Sequence, residues 1–155
     1  MKRSVFLLSF VLIVTSCATP YQAANFVGGF SETQLDIDLF TISFNGNGYT
    51  SSERASDFAL LRCADLSLEN NYLFFKIIDS QSNIKTTYSV TTDSNYDANS
   101  FGRSIYGNST SRTNVQTIEK PTISITIRLL KEKADGTYSA SFISKSIRAK
   151  YSIKK

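Results

Sequence analysis

From position 123 to 129 every second residue is a branched aliphatic. Ile123, Ile125, Ile127 and Leu129 are separated by Ser124, Thr126 and Arg128. Successive strand side chains point to opposite faces, so this row demands a sheet with one apolar face. Phe40, Ile42 and Phe44, separated by Thr41 and Ser43, repeat the pattern. They belong to an expected hairpin with arms over residues 30–35 and 39–44 and with Asp36, Ile37 and Asp38 at the turn. Residues 72–79 are apolar on both faces, as in a central strand. Ile84, Thr86, Tyr88 and Val90 alternate with polar neighbours in a further strand. Asp135 and Gly136 suit the positive φ angles of a tight hairpin. Tyr138, Ala140 and Phe142 then supply the apolar row of a return strand. The phase flips after it: Ile143, Ile147, Ala149, Tyr151 and Ile153 are odd-numbered, which predicts a bulge near Phe142 and Ile143.

One stretch breaks the period of two. Thr50, Ser51, Ser52 and Glu53 match a capping box, in which a hydroxyl and a carboxylate satisfy free helix amides. A helix is expected over residues 51–69, with Ala55, Ala59, Cys63 and Leu66 on its apolar side. Arg54, Arg62, Asp65 and Glu69 gather on the other side, where Arg62 and Asp65 are spaced to pair. Asn70 and Asn71 make a left-handed stop. Residues 93–114, rich in Ser, Thr, Asn and Gly, read as a long loop or ragged edge hairpin. The fold class is therefore α+β: an antiparallel sheet of about five or six strands with one main helix on one face. A single helix leaves part of the sheet uncovered, and that face, or the 93–114 segment lying on it, is where a partner would bind.

The amino terminus carries an address. Lys2 and Arg3 precede a ten-residue apolar run at 5–14, broken only by Ser9. Ten helical residues span about 15 Å, half of a bilayer core, so the run suits a signal peptide rather than a transmembrane helix. Val14, Thr15, Ser16 and Cys17 look like a lipobox. Cleavage before Cys17 leaves residues 1–16 as signal peptide. Cys17 would then carry a diacylglycerol and an N-acyl chain. Several acyl chains hold a protein at a membrane where one does not. Residues 17–29 read as the lipidated terminus and a tether, and residues 30–155 as one domain. Residue 18 is Ala rather than the Asp that keeps many enterobacterial lipoproteins at the inner membrane, so the expected address is the periplasmic face of the outer membrane. Cys63 has no intrachain partner once Cys17 is acylated, and its position on the helix favours burial.

Charge and chemistry narrow the functions. The chain has 17 basic and 13 acidic residues; loss of Lys2 and Arg3 lowers the net charge from +4 to +2. Residues 120–155 hold 9 basic and 2 acidic residues, which read mainly as a solvated face. Nucleic acid is not an expected partner at this charge and location. Histidine is absent, which removes the usual general base, the Ser-His-Asp arrangement and His-based metal sites. No metal or other cofactor is expected, and the chain is read as a non-enzyme. The carboxylate pairs Asp36/Asp38 and Asp93/Asp97 sit in turn or loop contexts, where Asp serves local hydrogen bonding.

The most motif-like stretch is Gly46, Asn47, Gly48, Tyr49 and Thr50, joining a strand to a helix amino terminus. Its glycines have backbone explanations, and free helix amides there can attract an anion, with Arg54 in the first turn. It lacks the Lys and Gly spacing of a P-loop. Gly46, Asn47, Gly48, Tyr49, Thr50, Glu53 and Arg54 are the candidate interaction turn.

That block, G-N-G-Y-T-S-x-E-R, opens a helix containing Asp57, Phe58, Ala59, Leu60, Leu61 and Arg62, then Ala64, Asp65 and Leu66. In this it resembles a family of small uncharacterised proteobacterial lipoproteins. Thr19, Pro20, Tyr21 and Gln22 after Cys17, and Gly28 to Thr33 in the first strand, look similar too. The likeness spans most of the mature chain and departs after Tyr138, in a basic Ser-rich run. The resemblance implies an envelope location and supplies no catalytic residues. The expected function is a non-enzymatic envelope lipoprotein acting as an interaction or structural module, with the membrane and an envelope protein as partners. The alternative is a periplasmic binder of a small ligand, lipid or anion, motivated by the aromatic set Phe40, Phe44, Phe74, Phe75 and Tyr88.

Overall fold

The computed structural model describes residues 17–101 and 104–154, without the side chains at 97–106. The expected signal peptide at 1–16 lies outside the described residues. Strands β1 (Gly29–Asp36) and β2 (Leu39–Asn45) form the first hairpin, and helix α1 (Ser52–Glu69) follows. Strands β3 (Phe74–Phe101) and β4 (Ser104–Leu130) come next, then the short β5 (Tyr138–Ser139) and helix α2 (Ala140–Tyr151). The sheet is antiparallel, five-stranded and ordered β1-β2-β4-β3-β5. The fold is α+β, with α1 packed on the sheet.

Alternation sets the core. Phe40, Ile42 and Phe44 of β2 lie opposite Ile127, Ile125 and Ile123 of β4, and all six are buried. Ala55, Ala59 and Cys63 of α1 are fully buried against them, and these small side chains let the helix approach the sheet closely. Phe58, 1% exposed, meets the ring of Phe44 edge-on at 5.4 Å. The other face carries Thr41 bonded to Thr126 at 3.0 Å and Ser43 bonded to Ser124 at 3.3 Å. Asn71 ends the turn after α1 with φ 63°, the expected left-handed stop.

Several expectations need correction. Residues 140–151 form α2 rather than a bulged return strand. Ile143, Ile147 and Tyr151 are four apart, so the flip in phase is the onset of a helix. Asp135 and Gly136 do form a turn, with Gly136 at φ 73°. It does not close a hairpin, because β5 pairs with β3 and not with β4. Of the two readings of residues 93–114, the loop fails and the hairpin holds: β3 and β4 continue as a paired ribbon far beyond the core. The expected strands at 72–79 and 84–91 are one strand, bent where the register shifts between Ile77 and Asp79. That ribbon extends away from the strand pairing with β2 rather than covering the open face. The cap of α1 is Ser51, whose hydroxyl accepts from the Arg54 amide at 3.2 Å; Thr50 is used elsewhere. Finally, Arg62 does not pair with Asp65. It bridges Glu32 at 2.6 Å and Glu69 at 2.8 Å, tying β1 to α1.

Burial has a consequence in alkali. It pushes the Cys63 thiol well above its ordinary 9.0. It also pushes the Tyr21 hydroxyl above its ordinary 10.0, and the bond to the Asp65 carboxylate adds to the rise. Both groups hold their protons more tightly folded than unfolded. Their stabilisation is thus complete below the unfolded values and is lost as pH rises through them. The urea midpoint should fall between about pH 8 and about pH 10.5, and Tyr21→Phe should narrow the difference. Equal midpoints at the two pH values would contradict this assignment.

Candidate functional site: the Gly46–Thr50 turn and the ribbon root

Residues 18–29 do not form a free tether. Thr19, two residues after Cys17, is fully buried. Its amide donates to Thr50 Oγ1 at 2.9 Å, and its hydroxyl accepts from the Asn47 amide at 2.9 Å. Tyr21 lays its ring 5.0 Å from Phe30 and 5.7 Å from Phe58, and its hydroxyl donates to Asp65 at 2.7 Å. The chain then doubles back on β1: the Phe30 amide donates to Gln22 O at 2.8 Å, and the Ala24 amide to Phe30 O at 2.7 Å. Gly28 takes φ 119° at this reversal, where a Cβ would lie 2.4 Å from Asn45 O.

Asn47 organises the turn. Its side-chain oxygen accepts from the Tyr49 amide at 3.0 Å and from the Thr50 hydroxyl at 2.9 Å. Its side-chain amide donates to Cys17 O at 2.8 Å. Cys17 itself is exposed. Gly46 donates its amide to Pro121 O at 2.8 Å, and a Cβ on Gly48 would sit 2.6 Å from Ile118 Cγ2. The Gly46–Thr50 turn is therefore seated on β4 at the root of the ribbon. A groove of about 390 Å³ lies there, lined by Asn47, Gly48, Tyr49, Gln116, Thr117, Ile118 and Lys120. Tyr49 is 75% exposed at its rim.

The signature block is divided by the fold. Gly46, Asn47, Gly48 and Thr50 cluster around Cys17 and Thr19, whereas Glu53 and Arg54 turn toward α2. Lys150 donates to Glu53 at 2.6 Å and to Asp57 at 2.7 Å. The Arg54 guanidinium stacks 5.0 Å from Phe58 and 5.4 Å from Tyr151, and its buried Nε has no partner among the described residues. Arg54 is thus part of an aromatic stack rather than of an anion site at the turn.

The remaining candidates separate. Asp36 accepts from the Ile37 amide at 2.7 Å, and Asp38 lies 3.7 Å from Arg128. Asp93 stands opposite Arg112 on the ribbon; the Asp97 side chain lies outside the described residues. Of the aromatic set, Phe40, Phe44 and Phe75 fill the core, and Tyr88 is 67% exposed on the ribbon. Among the described residues no group of three or more His, Cys, Asp or Glu comes together. No helix among them is long and apolar enough to cross a membrane.

Sequence reading missed Thr19, Tyr21 and the hub at Asp65. Asp65 also accepts from Ser144 Oγ at 2.8 Å and pairs with Arg148 at 2.5 Å. The partners come from opposite ends of the chain, so no local spacing reveals them. Comparison with known proteins adds no name: no family model, curated protein or solved structure matches the chain.

The turn makes a direct prediction. Thr50→Val removes an acceptor for the Thr19 amide and leaves that amide buried, at a cost of about 1–3 kcal/mol. Hydrogen exchange should rise selectively over residues 18–29. Unchanged protection there would mean that Thr50 does not hold the terminal segment.

Proposed function

We propose that the protein is a non-enzymatic envelope lipoprotein, anchored through acylated Cys17 at the periplasmic face of the outer membrane and acting as an interaction or structural module. The observation that carries this reading is the seat of Cys17. The residue is exposed, yet its carbonyl is held by Asn47 and its chain is buried two positions later. Two residues span at most about 7 Å. A lipid on Cys17 would therefore hold the domain close against the bilayer in a fixed orientation, with the ribbon root beside the anchor. The lipobox-like run at 14–17 and the apolar run at 5–14 give this cysteine its precursor context.

Cys17→Ser is the test. The variant should accumulate with residues 1–16 attached, or leave the outer-membrane fraction, without a change in the melting temperature of the domain. Normal processing and unchanged outer-membrane sedimentation of Cys17→Ser would rule the anchor out.

A further inference from the structure

Beyond the sheet, β3 and β4 pair only with each other. Among the described residues β5 meets only Phe74 and Phe75 of β3, and β2 meets β4 only over residues 122–128. The ribbon thus presents two long rows of unpaired amides and carbonyls, and a two-stranded ribbon alone is marginal in water.

Its two faces differ in chemistry. Between the rung joining Tyr88 to Thr117 and the rung joining Tyr96 to Ser109, one face bears Tyr88, Val90, Tyr96 and Val115 with only serines and threonines between them. No charge interrupts it. These four apolar side chains are 60–79% exposed, and Val90 stands opposite Val115. The other face places Asp93 opposite Arg112, flanked by Asn95 and Asn114. Apolar and polar faces alternate in this way in strands that cross a membrane as a barrel.

The dimensions agree. Such strands need about 9–11 residues. Residues 88–96 and 109–117 supply nine on each side, and both strands run on beyond them. Tyr88 and Tyr96 are roughly 26 Å apart along the strand at about 3.3 Å per residue. At a strand tilt of about 40° that covers about 20 Å of depth, most of the ~25 Å apolar band whose margins carry aromatic rings. The ribbon also leaves the domain at the turn that holds Cys17, through the contact of Gly48 with Ile118.

We propose that ribbons from several copies of this chain pair edge to edge, β3 of one with β4 of the next, and close into a membrane-spanning β-barrel. The Tyr88, Val90 and Val115 face meets lipid, and the Asp93 and Arg112 face lines the lumen. This rests on the reading of Cys17 as the lipid anchor, which sets the ribbon beside the bilayer. An eight-stranded barrel is filled by its own side chains, so a lumen that passes dye takes more than about eight strands, hence more than about four copies.

The experiment uses acylated mature protein, extracted in detergent and diluted onto dye-loaded vesicles of phosphatidylethanolamine and phosphatidylglycerol. Dye release is expected to rise more steeply than linearly with bound protein. Thr92→Lys, a charge at the middle rung of the lipid face opposite Thr113, should cut release about tenfold or more. Thr91→Lys, the neighbouring residue on the polar face, should retain it. Dye retained with the acylated protein bound would overturn the barrel, as would equal losses in the two variants. Ring-sized oligomers that leave the vesicles sealed would do the same, and would assign the ribbon to contacts between proteins. Intact mass of the same sample reads the anchor separately. An unacylated Cys17 sinks the anchor alone, and dye release by that chain would still support the barrel.

Discussion

Phe58→Ala should lower the unfolding free energy by about 3–5 kcal/mol, the usual cost of emptying an aromatic site in a core. The ring is where three parts of the chain meet. It faces Phe44 of β2 at 5.4 Å, Tyr21 of the terminal segment at 5.7 Å and Tyr151 of α2 at 5.0 Å. Arg54 covers its remaining face at 5.0 Å. Edge-on aromatic pairs add to the burial itself, so the loss exceeds the transfer cost of the ring. In a domain of this size the melting temperature should drop by roughly 10 °C or more. A loss under about 1.5 kcal/mol would show that the site collapses around the gap and that Phe58 is not the keystone described here.

Asp65→Ala should cost about 3 kcal/mol or more, because it strands the Arg148 guanidinium in a partly buried site. The side chains of Asp65 and Arg148 are 12% and 18% exposed, so solvent does little to replace the lost partner. The substitution also removes the acceptor for Tyr21 and Ser144. Its signature is loosening of both termini together: hydrogen exchange should rise over residues 18–24 and over α2, while the β2–β4 pairing stays protected. The double variant Asp65→Ala with Arg148→Ala should recover part of the loss, because no charge is then left unpaired. Failure of the double variant to recover any stability would contradict the account of the pair.

These two sites also mark where sequence periodicity stops being informative. Ile123 to Leu129, Phe40 to Phe44 and the helix row Ala55, Ala59 and Cys63 were readable because each buries one face against a single partner layer. The odd-numbered row from Ile143 to Tyr151 was ambiguous: a spacing of four satisfies a period of two as well as a helical period. The basic residues Arg148 and Lys150 in the last turn of α2 were the discriminating signal, since cations favour a helix carboxyl end. The ribbon over 93–114 was illegible for another reason. Its described side chains bury neither face in this chain, so serine, asparagine and aspartate can occupy it freely, and composition leaves loop and hairpin both open.

At the candidate site, Cys17 and the cluster of Gly46, Asn47, Gly48 and Thr50 were legible as a motif, but their joint purpose was not. By sequence Asn47 is one residue of a turn, whereas its side chain links Cys17 to Thr50. Glu53 and Arg54 belonged to the same run of sequence and face another element. Adjacent residues at the start of a helix point in different directions, so a contiguous motif need not make a contiguous site.

On our proposal Cys17 is the acylated first residue of the mature protein, held to the domain through Asn47 and Thr19. Intact mass spectrometry of protein extracted from the outer-membrane fraction tests it most directly. The expected mass is that of a chain beginning at Cys17 and carrying a diacylglycerol and an amide-linked acyl chain. A mass corresponding to the unmodified chain, or to one that retains residues 1–16, would contradict it.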